Sequence, residues 1–221
     1  MLDEGRIVFL DNHLIALHKR SGELVQADDT GDRCLADEVK DWIKQRFNKP
    51  GEVYLGVVHR LDRPVSGVVL FARTSKAAAR LSEQFRDRTT EKHYQAVTAL
   101  WTGPKEGTLT HWIAKDAAKN KSRVVPEGHR DAKKAVLHYK VLRKGNRYSV
   151  LEITLETGRH HQIRCQLAEA GTPIRGDLKY GAPRSLPRGG IDLCAVSLGF
   201  EHPVLRERIE IRIEPDFDIR F

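Results

Sequence analysis

Apolar positions along the chain switch between a period of two and a period of three to four, and the switches mark out short strands and a few helices. Arg6–Leu10 and Leu14–Lys19 are β-like runs around the turn-prone Asp11-Asn12-His13, which predicts an opening hairpin. Over Cys34–Phe47, Leu35, Val39, Trp42 or Ile43, and Phe47 recur at helical spacing, and Pro50-Gly51 ends the run. Val53–Leu61 and Ser66–Ala72 are apolar and rich in β-branched residues, predicting strands on either side of Asp62-Arg63-Pro64. Ser75–Arg86 predicts a second helix, with Thr74 as its N-cap and Ala77, Leu81 and Phe85 on one face.

Strands are predicted next at Tyr94–Leu100, Thr108–Ile113, Ala135–Leu142 and Tyr148–Leu155. A helix at His161–Ala170 stops at Gly171, a residue suited to the position after a helix end, and two last strands fall at Leu193–Leu198 and Arg208–Ile213. Strands outnumber helices and lie mostly next to one another in sequence. That order favours an α+β fold with a mixed, largely antiparallel central sheet and flanking helices. With no internal repeat and no low-complexity linker, residues 1–221 are expected to form a single catalytic domain, with room for two lobes meeting at a catalytic cleft.

Composition adds a charge argument. At 40% hydrophobic and 31% charged, the 221 residues suit an ordered globular chain. The net charge of +8 suits a nucleic-acid partner, because cationic side chains displace counterions from a phosphate backbone. Cys34, Cys165 and Cys194 are far apart and form neither a zinc-ribbon pair nor a disulfide framework, so a reducing cytoplasm is expected. The N-terminus lacks the basic start and long apolar run of a signal peptide, and no apolar stretch approaches the roughly 18 residues of a membrane span. The expectation is a cytoplasmic monomer without a membrane partner.

Candidate chemistry concentrates in three places. In His59-Arg60-Leu61-Asp62-Arg63-Pro64-Val65-Ser66-Gly67 a carboxylate stands between two arginines at the junction of two strands. Neighbouring guanidinium charge favours its ionised form, which suits a nucleophile or base; a structural pair closing a turn is the competing reading. In Thr157-Gly158-Arg159-His160-His161-Gln162-Ile163-Arg164, Gly158 permits a tight strand-to-helix transition, and the basic and histidine side chains at a helix start suit an anion or RNA. Adjacent histidines do not easily ligate one metal from one helix face, and no carboxylate or cysteine supports them, so no metal is expected. Tyr94, in Glu91–Val97, is either packing or a flat surface for an extruded base. Apart from these, Lys115–Lys134 carries seven cations against three acids with few apolar residues, and reads as a solvated or RNA-facing loop.

Taken together, residues 59–74, 91–97 and 155–181 resemble the three motifs of the RluA-type pseudouridine synthase family, in that family's order. The resemblance extends through 109–116, 132–142 and 193–203 and covers roughly residues 5–215. It implies the pseudouridine synthase fold, an RNA substrate (tRNA, large-subunit ribosomal RNA, or both) and no cofactor. Asp62 matches the catalytic carboxylate, Tyr94 the residue that stacks on the flipped uracil, and Arg164 the ion-pair partner of the Asp. Arg60 matches the arginine that enters the stack where the base leaves, and Ile163 lines the uracil pocket. His59 and Arg63, beside them in the first motif, and Lys119, Lys121 and Arg123 in the basic segment complete the candidate RNA contacts.

The sequence departs from the family at His160-His161, where Thr-His is common, at Gln166, and at Cys194; histidine is usual at the last two. None of these is a candidate catalytic residue. The small N-terminal RNA-binding domain of many relatives is expected to be missing, because the catalytic pattern begins almost at once. Two other classes compete: a non-catalytic RNA binder or chaperone on the same fold, which would not need Asp62, Tyr94 and Arg164 together, and a metal-dependent nuclease or deaminase, whose clustered ligands are lacking.

Overall fold

The computed structural model describes residues 2–28 and 31–217. In chain order the elements are β1 (Ile7–Leu10), β2 (Leu14–Lys19), α1 (Leu35–Arg46), β3 (Gly56–Val57), β4 (Ser66–Ala72), α2 (Ser75–Asp87) and β5 (Glu91–Ala99). There follow β6 (Glu106–Asp116), β7 (Lys121–Val125), β8 (Lys133–Lys144), β9 (Tyr148–Leu155), α3 (Gln162–Glu169), β10 (Leu193–Glu201) and β11 (Arg208–Arg212). The class is α+β with largely antiparallel pairing, as the order of runs predicts. Two compact units make up the chain: Met1–Glu91 with Ala195–Glu214, and Lys92–Cys194 with Pro215–Phe221.

In the first unit β2 pairs antiparallel with β1 on one side and with β4 on the other, and β11 pairs antiparallel with β10. Helix α2 begins where its sequence predicts: the Thr74 hydroxyl accepts the Ala77 N–H at 3.2 Å, satisfying one of the free donors of the first turn. Its Ala77 and Leu81 pack on Leu14, Ala16, Val68 and Leu70 from one face of the strands and on Leu198, Phe200 and Ile211. The opposite face, with Ile15, Leu17, Val69 and Phe71, is equally buried. Gly67 is required here. It has φ +135, and a Cβ at this position would lie 2.4 Å from the Ala195 backbone nitrogen.

The expected strand Val53–Leu61 shortens to the two residues of β3, which pair with Val57↔Phe71 and Gly56↔Ala72 at the end of β4. Partners of β4 explain this: β3 lies on the edge opposite β2, where the sheet order puts β10 beside β4, so β3 has only the Phe71–Ala72 end and residues 58–61 run on as irregular chain toward Asp62.

The second unit is an antiparallel meander, β5-β9-β8-β6-β7. The basic segment is not one loop. Lys121–Val125 forms β7, registered Trp112↔Val125 to Asp116↔Lys121 against β6, and only residues 117–120 and 126–132 are connections. Charged side chains obscured this strand, because alternate residues of β7 are cationic while Ser122 and Val125 are buried. Helix α3 packs on the meander, where Cys165 meets Ile113, Ala135 and Tyr180.

Candidate active site

Asp62 sits in a four-residue turn, Asp62–Val65, closed by the Val65 N–H on the Asp62 carbonyl at 3.0 Å. All four carbonyls of this turn are held by residues 19–22, at the end of β2 and just after it. The Gly22 N–H donates to Arg63 O at 2.8 Å and the Ser21 hydroxyl to Pro64 O at 2.7 Å. Lys19 supplies the rest: its Nζ lies 3.3 Å from Asp62 O, 3.1 Å from Arg63 O and 2.6 Å from Val65 O, and 3.1 Å from its neighbour Arg20 O. Lys19 is fully buried, and burial lowers its pKa to about 8, against the opposing pull of Glu23 and Asp62. An ammonium donates three hydrogens, so four carbonyls around it form a cage with directional restraint on the turn. Asp62 itself is half-buried at the mouth of this cage.

The flanking candidates divide by role. Arg60 is exposed. Arg63 turns away from Asp62, donating from Nε to Gly22 O at 3.0 Å and pairing with Asp32 at 2.8 Å. His59 accepts the Leu70 N–H at 2.9 Å and stacks on Phe85 at 4.7 Å, which fits it to hold β4 against α2.

Tyr94, Ile163, Arg164 and the three hairpin cations belong to the second unit. Tyr94 is half-buried in β5 opposite Ile153. Arg164 and Ile163 lie in the first turn of α3, both buried. Arg164 makes a two-pronged pair with Asp177, Nε–Oδ2 at 2.7 Å and Nη2–Oδ1 at 2.8 Å, and its guanidinium rests 5.0 Å from the Tyr180 ring centre. This fork fixes the plane of the guanidinium and leaves Nη1 outside the Asp177 pair.

The entry to α3 differs in one respect from its sequence expectation. His161 takes the left-handed conformation, φ 51, and the helix begins at Gln162, so His161 is the residue before the helix and not its first, and His160 is on the approach turn. Gln162 makes the strained turn hold: its Oε1 accepts from the Thr157 hydroxyl at 2.7 Å and from Arg159 N–H at 2.9 Å, while its Nε2 donates to Val136 O at 3.0 Å. His161 is kept neutral, its pKa pushed down to about 2 by burial and then by the charge of Arg164, and its Nδ1 lies 3.0 Å from the Tyr180 hydroxyl. Gln166, where the resembling family has His, reaches Leu109 O and His111 Nδ1 and so ties α3 to β6. Among the described residues, no three His, Cys, Asp or Glu side chains group as a metal ion would require, and no helix is long and apolar enough to cross a membrane.

Residues 13–169, which contain the Asp62 turn, Tyr94 and the start of α3, match the family model for RNA pseudouridylate synthase. The chain belongs to that family. An uncharacterized RNA pseudouridine synthase of Bacillus subtilis is 36% identical over 155 residues, 70% of this chain and 50% of the relative. Ribosomal large subunit pseudouridine synthase D of Xylella fastidiosa is 39% identical over 157 residues, 70% of this chain and 46% of the relative. The Zymomonas mobilis protein of the same name is 29% identical over 225 residues, 97% of this chain and 70% of the relative. The chain spans about half the length of several curated relatives it matches. Among solved structures, human RNA pseudouridylate synthase domain containing 4 superposes with a TM-score of 0.79 at 26% identity, over 95% of this chain and 88% of that one.

Sequence reasoning missed Lys19 and Asp177, and read Gln162 as part of an anion or RNA site where the structure uses it to clamp the turn. Only Lys19 left a signal: in β2 it alternates with Ile15 and Leu17, so a period of two puts it on their buried face.

Proposed function

We propose that this chain is an RNA pseudouridine synthase that isomerises uridine within a folded RNA, with Asp62 as the catalytic carboxylate. The observation that carries the reading is the caged turn. Four bonded backbone carbonyls and a buried ammonium restrain one half-exposed carboxylate, an arrangement with a use where a carboxylate must be held in one geometry. In the reaction the N1–C1′ bond breaks, uracil rotates, and a C5–C1′ bond forms. The C5 proton leaves and N1 gains one, so the product is an isomer and no redox partner or group donor is called for. Asp62 acts by attacking C1′, by attacking the base, or by removing a sugar proton.

The remaining roles follow the family resemblance. Arg164, oriented by Asp177, is the counter-charge for Asp62, and Ile163 lines the uracil pocket. Tyr94 stacks on the extruded uracil, a contact worth about 1–3 kcal/mol, against an unstacking cost of a few kcal/mol. Arg60 fills the gap the base leaves. Lys119, Lys121 and Arg123 contact the RNA backbone. Large-subunit ribosomal RNA is the favoured substrate over tRNA, since three of the similar curated proteins carry that substrate in their names. We place the protein in the cytoplasm, a reading supported by three buried free thiols, and take it to act as a monomer.

Asp62→Asn tests the assignment. Release of tritium from RNA labelled at uridine C5 follows the step in which C5–H is replaced by C5–C1′. The variant is expected to show no detectable release while its RNA affinity stays within about 1.4 kcal/mol, a factor of ten. Retention of a large part of the wild-type single-turnover rate would remove Asp62 from the mechanism.

A further inference from the structure

The turn between β6 and β7 and the approach to α3 are fastened together by one side chain. His160 Nδ1 lies 2.9 Å from the Ser122 hydroxyl and its Nε2 lies 3.1 Å from the Asn120 side-chain oxygen, so one imidazole bonds both the tip and the flank of the hairpin. The Ser122 hydroxyl also lies 2.7 Å from the His160 carbonyl, so its one hydrogen is shared between that oxygen and Nδ1. The ring is braced from behind by His161, stacked at 3.8 Å. His161 is in turn fixed by Tyr180, whose hydroxyl accepts the Ser122 N–H at 2.8 Å. Lys179 adds a bond to Asn120 O at 3.1 Å, and Lys121 lies over the Tyr180 ring at 4.9 Å.

These bonds form where the hairpin's cations are. Lys119 and Lys121 flank Asn120, and Arg123 follows Ser122. A two-strand ribbon projecting from a sheet is marginal on its own. Ser122 is buried and Asn120 exposed, so the tip is restrained by the His160 bond to the Asn120 side chain together with the Lys179 bond to its carbonyl.

We propose that His160 is a positioning residue that docks the β6–β7 hairpin against the start of α3 and so presents Lys119, Lys121 and Arg123 to RNA in one arrangement. The inference rests on the reading of the hairpin as an RNA contact. Pre-ordering the cations removes an entropy loss from binding and leaves the chemical step alone. His160 therefore acts on affinity.

Three variants test this: His160→Ala, His160→Asn, which keeps a donor near Ser122 but cannot reach Asn120, and Asn120→Ala at the exposed tip. Amide hydrogen exchange without RNA, and affinity and saturating single-turnover rate with a uridine-containing stem-loop RNA, are the readouts. His160→Ala is expected to speed exchange across residues 117–125 while leaving amides in α2 and β4 unchanged. It is expected to weaken RNA binding about tenfold, as the loss of one or two hydrogen bonds would, with the saturating rate within about twofold of wild type. His160→Asn falls between. The double variant of His160→Ala with Asn120→Ala is no weaker than His160→Ala alone, because both remove the same bond. Additive losses, unchanged exchange, or a saturating rate that falls as far as the affinity would overturn the proposal. If the wild-type chain itself bound no RNA, the functional reading would fall with it, and the exchange data would still decide whether His160 docks the hairpin.

Discussion

Replacing Lys19 by Met should separate activity from stability. The substitution keeps most of the side-chain volume and removes the ammonium from the cage of carbonyls at residues 20, 62, 63 and 65. Asp62 O keeps its bond from Val65 N–H, and Arg63 O keeps its bond from Gly22 N–H. Val65 O is deprived of the shortest of the four bonds, 2.6 Å, at a cost of about 1–3 kcal/mol for a buried acceptor without its donor. Against this stands the desolvation of the charge. A pKa lowered from 10.5 to about 8 corresponds to roughly 3 kcal/mol held against the folded state at neutral pH. The two terms oppose one another, so unfolding free energy at pH 7 should change by no more than about 2 kcal/mol.

The pH dependence then identifies the group. Between about pH 8 and 10.5 the unfolded chain holds a proton that folded Lys19 has released, so wild-type stability rises with pH across this window. Below it the ammonium is charged in both states and the cost is complete. Above it the amine is neutral in both and the cost is gone. Urea unfolding at successive pH values should show this rise, about 3 kcal/mol, as a difference between wild type and Lys19→Met. Activity should respond on a different scale. A turn free to shift by about 1 Å would slow single-turnover tritium release about 100-fold with RNA affinity preserved. A variant with more than a third of the wild-type rate would show that the cage is packing and does not position Asp62.

Neutralising Lys119, Lys121 and Arg123 together should weaken RNA binding and reduce its salt slope by about 0.7 to 0.9 for each phosphate left without its cation; an unchanged slope would make the hairpin a solvated one. Arg60→Ala should slow reaction strongly on a structured stem-loop and far less on a short RNA with an unpaired target, by a difference of about a few kcal/mol; equal losses would assign Arg60 an electrostatic effect on Asp62. Asp177→Asn leaves the buried Arg164 guanidinium without its carboxylate and should cost about 3–5 kcal/mol in urea unfolding, together with most of the activity. A stable Asp177→Asn protein would mean that Arg164 is held by its other neighbours.

What the sequence could convey depended on the range of each interaction. Local signals served well. The β4 and β9 boundaries follow from apolar runs, and α2 from the Thr74 cap and the spacing of Ala77, Leu81 and Phe85. The failures lie where a distant partner decides. Val53–Leu61 carries strand-forming residues, but β10 is the neighbour of β4 on the edge opposite β2, and no local pattern reports that. β7 pairs through its backbone with β6 while carrying Lys121 and Arg123 among five residues, so its composition reads as loop. Gly158 looks like the residue that turns the chain into α3, yet the positive φ falls on His161, because the Gln162 amide holds the turn from the helix side.

The same division runs through the site. Asp62 is legible because its motif is contiguous. The groups that hold it in place come from residues 19–22, and the carboxylate that orients Arg164 lies thirteen positions further along the chain. Lys19 shows why such partners are passed over. A lysine is expected in solvent, and only its alternation with Ile15 and Leu17 points inward. A cation on the buried face of a strand must find acceptors, and in a sheet whose backbone groups are paired, the acceptors left are the carbonyls of a turn. Here that turn carries Asp62. A buried-face lysine at a strand end is therefore a pointer, readable from alternation alone, to a nearby turn that must be held still, and in this chain the turn it singles out is the one bearing the carboxylate.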